Sequence, residues 1–216
     1  MKPSRIQGPW LVLVLLAVCT RSTLAAEADA AALIARLARP APANTRFVEA
    51  RFSSLLARPL VVSGQLTYFA PDHLVRRVDE PFRELMTIRG EEVVVERDGE
   101  QPVRFSLKRA PELLGMLSSF GALLAGDRTL LDRHFRSSLS GDDVRWRLVL
   151  TPTSDRVRQK LGSIHVDVER DAVRCFTLVE PDGDASFMLL GDTAPATRPE
   201  PLERGWLEAL CSGVAP

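Results

Sequence analysis

Between Phe47 and Lys108 short stretches alternate apolar and polar residues, one after another, and this period of two is the feature that most narrows what the chain can become. Successive side chains of a strand point to opposite faces, so alternation means one dry face and one wet one. Repeated over several hairpins, it belongs to an antiparallel sheet, because the strands of a parallel sheet are buried on both faces and read as continuous apolar runs. Val48, Ala50 and Phe52 share one face of the first such strand, with Glu49, Arg51 and Ser53 opposite. Leu66 and Tyr68 alternate with Gln65 and Thr67, Pro71-Asp72 supplies a turn, and Leu74 and Val78 follow on the return strand with Arg76 between them. Further strands read at Phe82–Ile88, where Met86 sits, at Val93–Arg97 and at Val103–Leu107, separated by turn signals at Gly90 and Asp98-Gly99. A second group follows: Val144, Trp146, Leu148 and Leu150 alternate with Arg145 and Arg147, Ile164, Val166 and Val168 with His165 and Asp167, and Val173–Glu180 and Ser186–Leu190 complete it.

A dry face needs a cover, and the sequence offers one between the two groups. In "APELLGMLSSFGALLAGD", Pro111 suits a first helical turn, and Leu113, Leu114, Met116, Leu117, Phe120, Leu123 and Leu124 follow helical spacing. Its other side is small rather than charged, with Gly115, Ser118, Ser119, Gly121, Ala122 and Ala125, and no charge falls between Leu113 and Gly126. Surface helices carry a charged outer face. This one fits either a buried core helix or a cover lying loosely over a cavity. A first helix reads at Ala30–Leu37, ended by Pro40 and Pro42, and Trp206-Leu207 marks a short last one. The fold class expected is therefore α+β and mainly antiparallel β, in a single domain spanning residues 26–216.

Residues 1–25 read as a secretory signal, with Lys2 and Arg5 before an apolar run from Trp10 to Val18 and small residues at Thr23-Leu24-Ala25. That run is too short for a permanent membrane span. Leu16-Ala17-Val18-Cys19 is an alternative, a lipidation box whose Val18 stands where a small residue is usual. Removing the signal takes Lys2, Arg5 and Arg21 from a chain with 28 basic and 28 acidic residues, leaving a mature net charge of −3. Such a balance argues against a nucleic-acid partner. The cysteines that remain, Cys175 and Cys211, pair in an oxidising compartment if the fold brings them within reach; otherwise one is a buried thiol and the other a loose one, and spacing does not choose.

Catalytic chemistry finds little support. His73, His134 and His165 lie far apart with no second ligand at metal spacing, so neither a metal nor a cofactor is expected. Ser118-Ser119 lacks the Gly-x-Ser-x-Gly elbow of a hydrolase. Asp142-Asp143 and Asp182/Asp184 sit beside turn glycines, where nothing desolvates a carboxylate. Glycines within a helix make no phosphate loop. Arg76-Arg77 reads either as a solvated edge or as an anchor near the mouth of a ligand cavity.

Taken in order, "VEARFSS" from Val48, "SGQLTYFAPDHLVRRVDEP" with Gly64, Leu66 and Pro71 in register, "RWRLVLTP" and "GSIHVDVERDAVRCFTLVEPDGDASFMLL" resemble the periplasmic outer-membrane lipoprotein carriers of the LolA family. The resemblance implies an incomplete antiparallel barrel whose concave apolar face is covered by helices, and a cavity that takes acyl chains of lipoproteins or related lipids. The ligand-binding residues it implies are Val48, Phe52, Leu66, Tyr68, Leu74, Val78, Met86, Trp146 and Leu148 on the sheet, and Leu113, Met116, Leu117, Phe120 and Leu124 on the covering helix. It further implies a monomeric, non-enzymatic carrier between an inner-membrane releasing complex and an outer-membrane acceptor. A lipid-sensing envelope regulator is the alternative on the same fold. Two departures stand out: Ala70 where family members often have an arginine that ties the lid shut, and Arg76 where they often have a tryptophan.

Overall fold

Eleven strands form one antiparallel sheet, in a computed structural model that describes residues 30–213 apart from 71, 110, 196 and 198. The expected signal segment, Cys19 and Pro71 lie outside the described residues. The strands are β1 (Ala43–Phe52), β2 (Leu60–Ala70), β3 (His73–Glu80), β4 (Glu84–Arg89), β5 (Glu92–Arg97), β6 (Val103–Ser106), β7 (Phe135–Gly141), β8 (Arg145–Pro152), β9 (Ser163–Glu169), β10 (Ala172–Val179) and β11 (Ala185–Leu190). Their spatial order is β6-β5-β4-β3-β2-β1-β11-β10-β9-β8-β7, so the two strand groups of the sequence are joined by pairing of β1 with β11, and the sheet does not close. This is an incomplete barrel. Strand β7 has no counterpart in the sequence reading, because FRSSLSG offers serines where an alternating apolar run would be sought.

Residues 30–35 form helix α1, followed by α2 (Pro111–Ala125), α3 (Arg128–Asp132), α4 (Asp155–Arg158) and α5 (Arg204–Ser212). Pairing registers settle which side chains share the inner face. Phe47 lies opposite Leu190 and Gly64, Leu66 opposite Arg76, Tyr68 opposite Leu74, and Met86 opposite Val95. Over β8 and β9 that face is filled: Ile34 of α1, Leu37 just beyond it, and Ala122 and Leu123 of α2 pack on Trp146, Leu148, Leu150, Ile164 and Val166. At Gly64 the β3 backbone leaves no room for a side chain on β2. A Cβ there would stand 1.8 Å from the Arg77 carbonyl oxygen, beside the bulge between Ser63 and Gly64, so the hairpin motif needs glycine for space.

The outer face of the central strands is also covered. Val48, Ala50, Phe187 and Leu189 meet Leu207 and Cys211 of α5, and Cys211 is bonded to Cys175 with 5.5 Å between Cα atoms. Of the two alternatives open for these cysteines, the structure has the disulfide. The end of α5 is gripped as well: Arg145 Nη1 donates to the Gly213 carbonyl at 3.1 Å and Arg174 Nη2 to that of Leu210 at 3.1 Å, satisfying helix-terminal acceptors. Glu169 holds both arginines. The Arg145 hydrogen bond, and then the charge of Arg174, keep its carboxyl below the usual glutamate range. A depressed pKa contributes stability above that range and loses it as the pH falls through the folded value, so this grip weakens in acid.

Reducing the disulfide, which closes a loop of sequence separation 36, is expected to lower the unfolding free energy by about 3–4 kcal/mol. Urea unfolding with and without reductant measures it. An unchanged midpoint would contradict the anchoring of α5.

Candidate functional site

Between the inner face and α2 the packing is incomplete. Two cavities of about 540 and 470 Å³ and a smaller one of about 190 Å³ lie there. Phe120 of α2 borders all three, Leu66 borders the two larger, and Leu74, Ile88 and Leu117 are shared by the second and the smallest. We treat them as lobes of one hollow around the Phe120 ring, which meets Phe176 edge-on with centroids 5.8 Å apart. Volumes of this size are typical of small-molecule sites, which are mainly apolar with a few placed polar groups.

The first lobe runs toward the end of the barrel where β2 finishes, lined by Leu37, Tyr68, Leu124, Val173 and Leu190, with Arg39, Glu169 and Arg170 at its margin. Burial, and beyond it the nearby Asp72 carboxylate, pushes the Tyr68 hydroxyl above its ordinary pKa, so it stays neutral. The second lobe opens at the opposite end, between Arg51, Lys160, Glu180 and Ser186, and is walled by Leu74, Met86, Phe176 and Met188. Within its wall, Arg76 forms a polar island. Its guanidinium reaches Glu49 at 2.6 Å and Glu84 at 3.3 Å, and lies 4.9 Å from the centroid of the Phe47 ring. Glu84, 8% exposed, is held from the other side by Arg97 at 2.7 Å.

The expected site residues divide accordingly. Leu66, Tyr68, Leu74, Met86, Leu117, Phe120 and Leu124 line the hollow. Val78 shares their face but is packed beneath it with Leu66 and Phe47. Trp146 and Leu148 are on the inner face too, but α1 and α2 bury them in solid core. Val48 and Phe52 are corrected: they face outward, against the region covered by α5. The reason is that β1 is central and covered on both sides, so its charged residues Glu49 and Arg51, which look solvent-facing in sequence, turn toward the second lobe and take ion partners in Arg76 and Glu180. The side chains of Leu113 and Met116 lie outside the described residues. Sequence reading missed Ile88, Phe176 and Met188 as lining; each stands at an inner-face register position, which pairing alone reveals.

Among the described residues one group of three possible metal ligands comes together, Glu180, Asp182 and Asp184, in the β10–β11 turn. Asp184 Oδ1 accepts from the Ser54 amide at 2.9 Å, so that carboxylate ties two loops. No described helix is long and apolar enough to cross a membrane.

Residues 22–213 match the family model described as outer membrane lipoprotein carrier protein LolA-like. Similar solved structures include a LolA superfamily protein from Nitrosomonas europaea, 11% identical, with 74% of this chain and 89% of that chain covered and a TM-score of 0.39. A DUF1329 family protein from Desulfovibrio piger is 12% identical, with 76% and 89% covered and a TM-score of 0.39. The MucA/MucB complex of Pseudomonas aeruginosa is 15% identical over 78% of this chain and 59% of that one, with a TM-score of 0.34. No curated protein matches the chain.

Replacing Arg76 with Met leaves Glu49 without its partner in the wall of the hollow, and is expected to cost about 1–3 kcal/mol. Adding Glu49→Gln should recover part of that loss. A double-mutant cycle by urea unfolding checks it, and strictly additive effects would mean that the pair is not coupled.

Proposed function

Because the chain belongs to the LolA-like family of outer membrane lipoprotein carrier proteins, a family of lipid- or lipoprotein-binding carriers, we propose that it is a periplasmic carrier that takes acyl chains of lipoproteins, or of related lipids, into the hollow beside α2 and moves them from inner to outer membrane. The observation that carries this reading is the hollow itself: lobes of about 540 and 470 Å³ with Leu66 and Phe120 at their junction, covered by a helix whose sequence has no charge from Leu113 to Gly126. Transfer of each methylene out of water contributes about 0.8 kcal/mol, so part of one chain suffices for useful affinity. Release needs a cover that can shift. Helix α2 fits that role, since from Leu113 to its end at Ala125 it carries no charged residue to tie it to the sheet. In this reading the protein acts without covalent chemistry, and its partners are the membrane complexes that load and unload it.

A fluorescent fatty-acid probe is expected to bind and to be displaced by unlabelled fatty acid. Leu117→Asp, which places a carboxylate where Leu117 borders two lobes, is expected to weaken the probe by about tenfold or more. Thermal unfolding run alongside separates this effect from loss of the fold. A folded variant with unaltered binding would remove the hollow from the account.

A further inference from the structure

The end of the barrel onto which the second lobe opens gathers most of the exposed large hydrophobic side chains among the described residues. Among the described residues eight large hydrophobic side chains are exposed, and five of them, Leu55, Leu56, Leu60, Phe82 and Val103, sit at this end. They occupy the loop between β1 and β2, the turn between β3 and β4, and the strand starts beside them. The antiparallel registers put all of these at the end where Arg51 and Ser186 border the mouth. Leu55 is 92% exposed, more than any of the others.

It is not displayed by a slack segment. The Leu56 amide donates to the Ser53 carbonyl at 3.0 Å, the Leu55 amide to Ser53 Oγ at 3.3 Å, and the Ser54 amide to Asp184 Oδ1 at 2.9 Å, which fastens the loop to the β10–β11 turn. The structure therefore holds two leucines out into solvent at a fixed place. Arg58 and Arg83 flank these tips, both exposed and neither in an ion pair among the described residues.

We propose that this end docks on a lipid bilayer surface, with Leu55 and Leu56 entering the acyl boundary and Arg58 and Arg83 at headgroup level, so that the mouth of the second lobe faces the membrane. Single apolar side chains spread over separate loops do not form the packed groove that a protein helix or strand would fill. Beside free arginines they form the pattern of an interfacial contact, with apolar groups inserted and cations level with the phosphates. Two leucines and two arginines also give weak, reversible attachment, since even a full myristoyl chain binds only marginally. That suits a molecule that must leave again. The inference rests on the carrier reading for its purpose, but docking itself needs no cargo.

The test is flotation of the purified protein with vesicles of phosphatidylethanolamine and phosphatidylglycerol, with fatty-acid probe binding measured on the same samples. The wild type is expected to float. The double variant Leu55→Asp with Leu56→Asp is expected to lose association by about tenfold or more while keeping probe affinity and unfolding temperature, since both side chains are exposed and neither lines the hollow. Val144→Asp, at the other end of the barrel, is the control and is expected to float as the wild type does. Absence of wild-type flotation, equal flotation of the double variant, or an equal loss with Val144→Asp would each overturn the docking surface. A wild type that floats but binds no probe would instead remove the carrier reading and leave docking in place.

Discussion

An antiparallel sheet of eleven strands that does not close has to bury its inner face under other elements, and everything else in this molecule follows from how incompletely it does so. Over β8 and β9 the cover is complete, because α1 and α2 both press on the same strands. Between β2, β3 and β10 the described side chains of α2 that border the space are few, and Phe120, flanked by Leu117 and Leu124, is the one common to every lobe. Interiors normally reach crystal-like packing density, so cavities totalling about 1200 Å³ along one helix are not ordinary packing defects. They lie where the two curved arms of the sheet meet.

The second constraint acts at the middle of the sheet. Strand β1 pairs with β2 on one side and β11 on the other, and both of its faces are covered. On the outer side the cover is α5, held by Leu207, the disulfide and two arginines at its carboxyl end. On the inner side the strand presents Phe47 together with Glu49 and Arg51. A largely buried charge such as Glu49 persists there only if paired, and Arg76 pairs it, while Arg51 at the exposed mouth meets Glu180. The hollow thus has an apolar body and a polar band on one wall. Arg76 replaces the tryptophan often found there in the family it resembles.

Much of the fold could be read from period two alone: the hairpins of β2 to β5, the strands β8 to β11 and the helix between the groups stand where alternation and Pro111 place them. The family suspected from the order of weak motifs around Gly64 and Pro71 is the family that matches. What alternation does not carry is which face is which. For β2 and β3, Leu66, Tyr68 and Leu74 were legible because those strands are wet on one side. For β1 the same rule misassigns Val48 and Phe52, since burial on both faces leaves hydrophobicity unable to mark the inside. Trp146 and Leu148 show a different limit: a face is legible, but whether a helix fills the space above it depends on where α1 lies, a long-range matter. Strand β7 escaped because backbone pairing to β8 holds it at the edge of the sheet, while its serines leave no periodic trace.

The central claim is that the space around Phe120 accepts an acyl chain. Methyl-resolved magnetic resonance with a nitroxide-labelled fatty acid addresses it residue by residue. The account predicts strong broadening of Leu66, Met86, Leu117 and Leu124, with Val48 and Leu189 on the outer face unaffected. Broadening confined to the outer face, or none at saturating ligand, would contradict it.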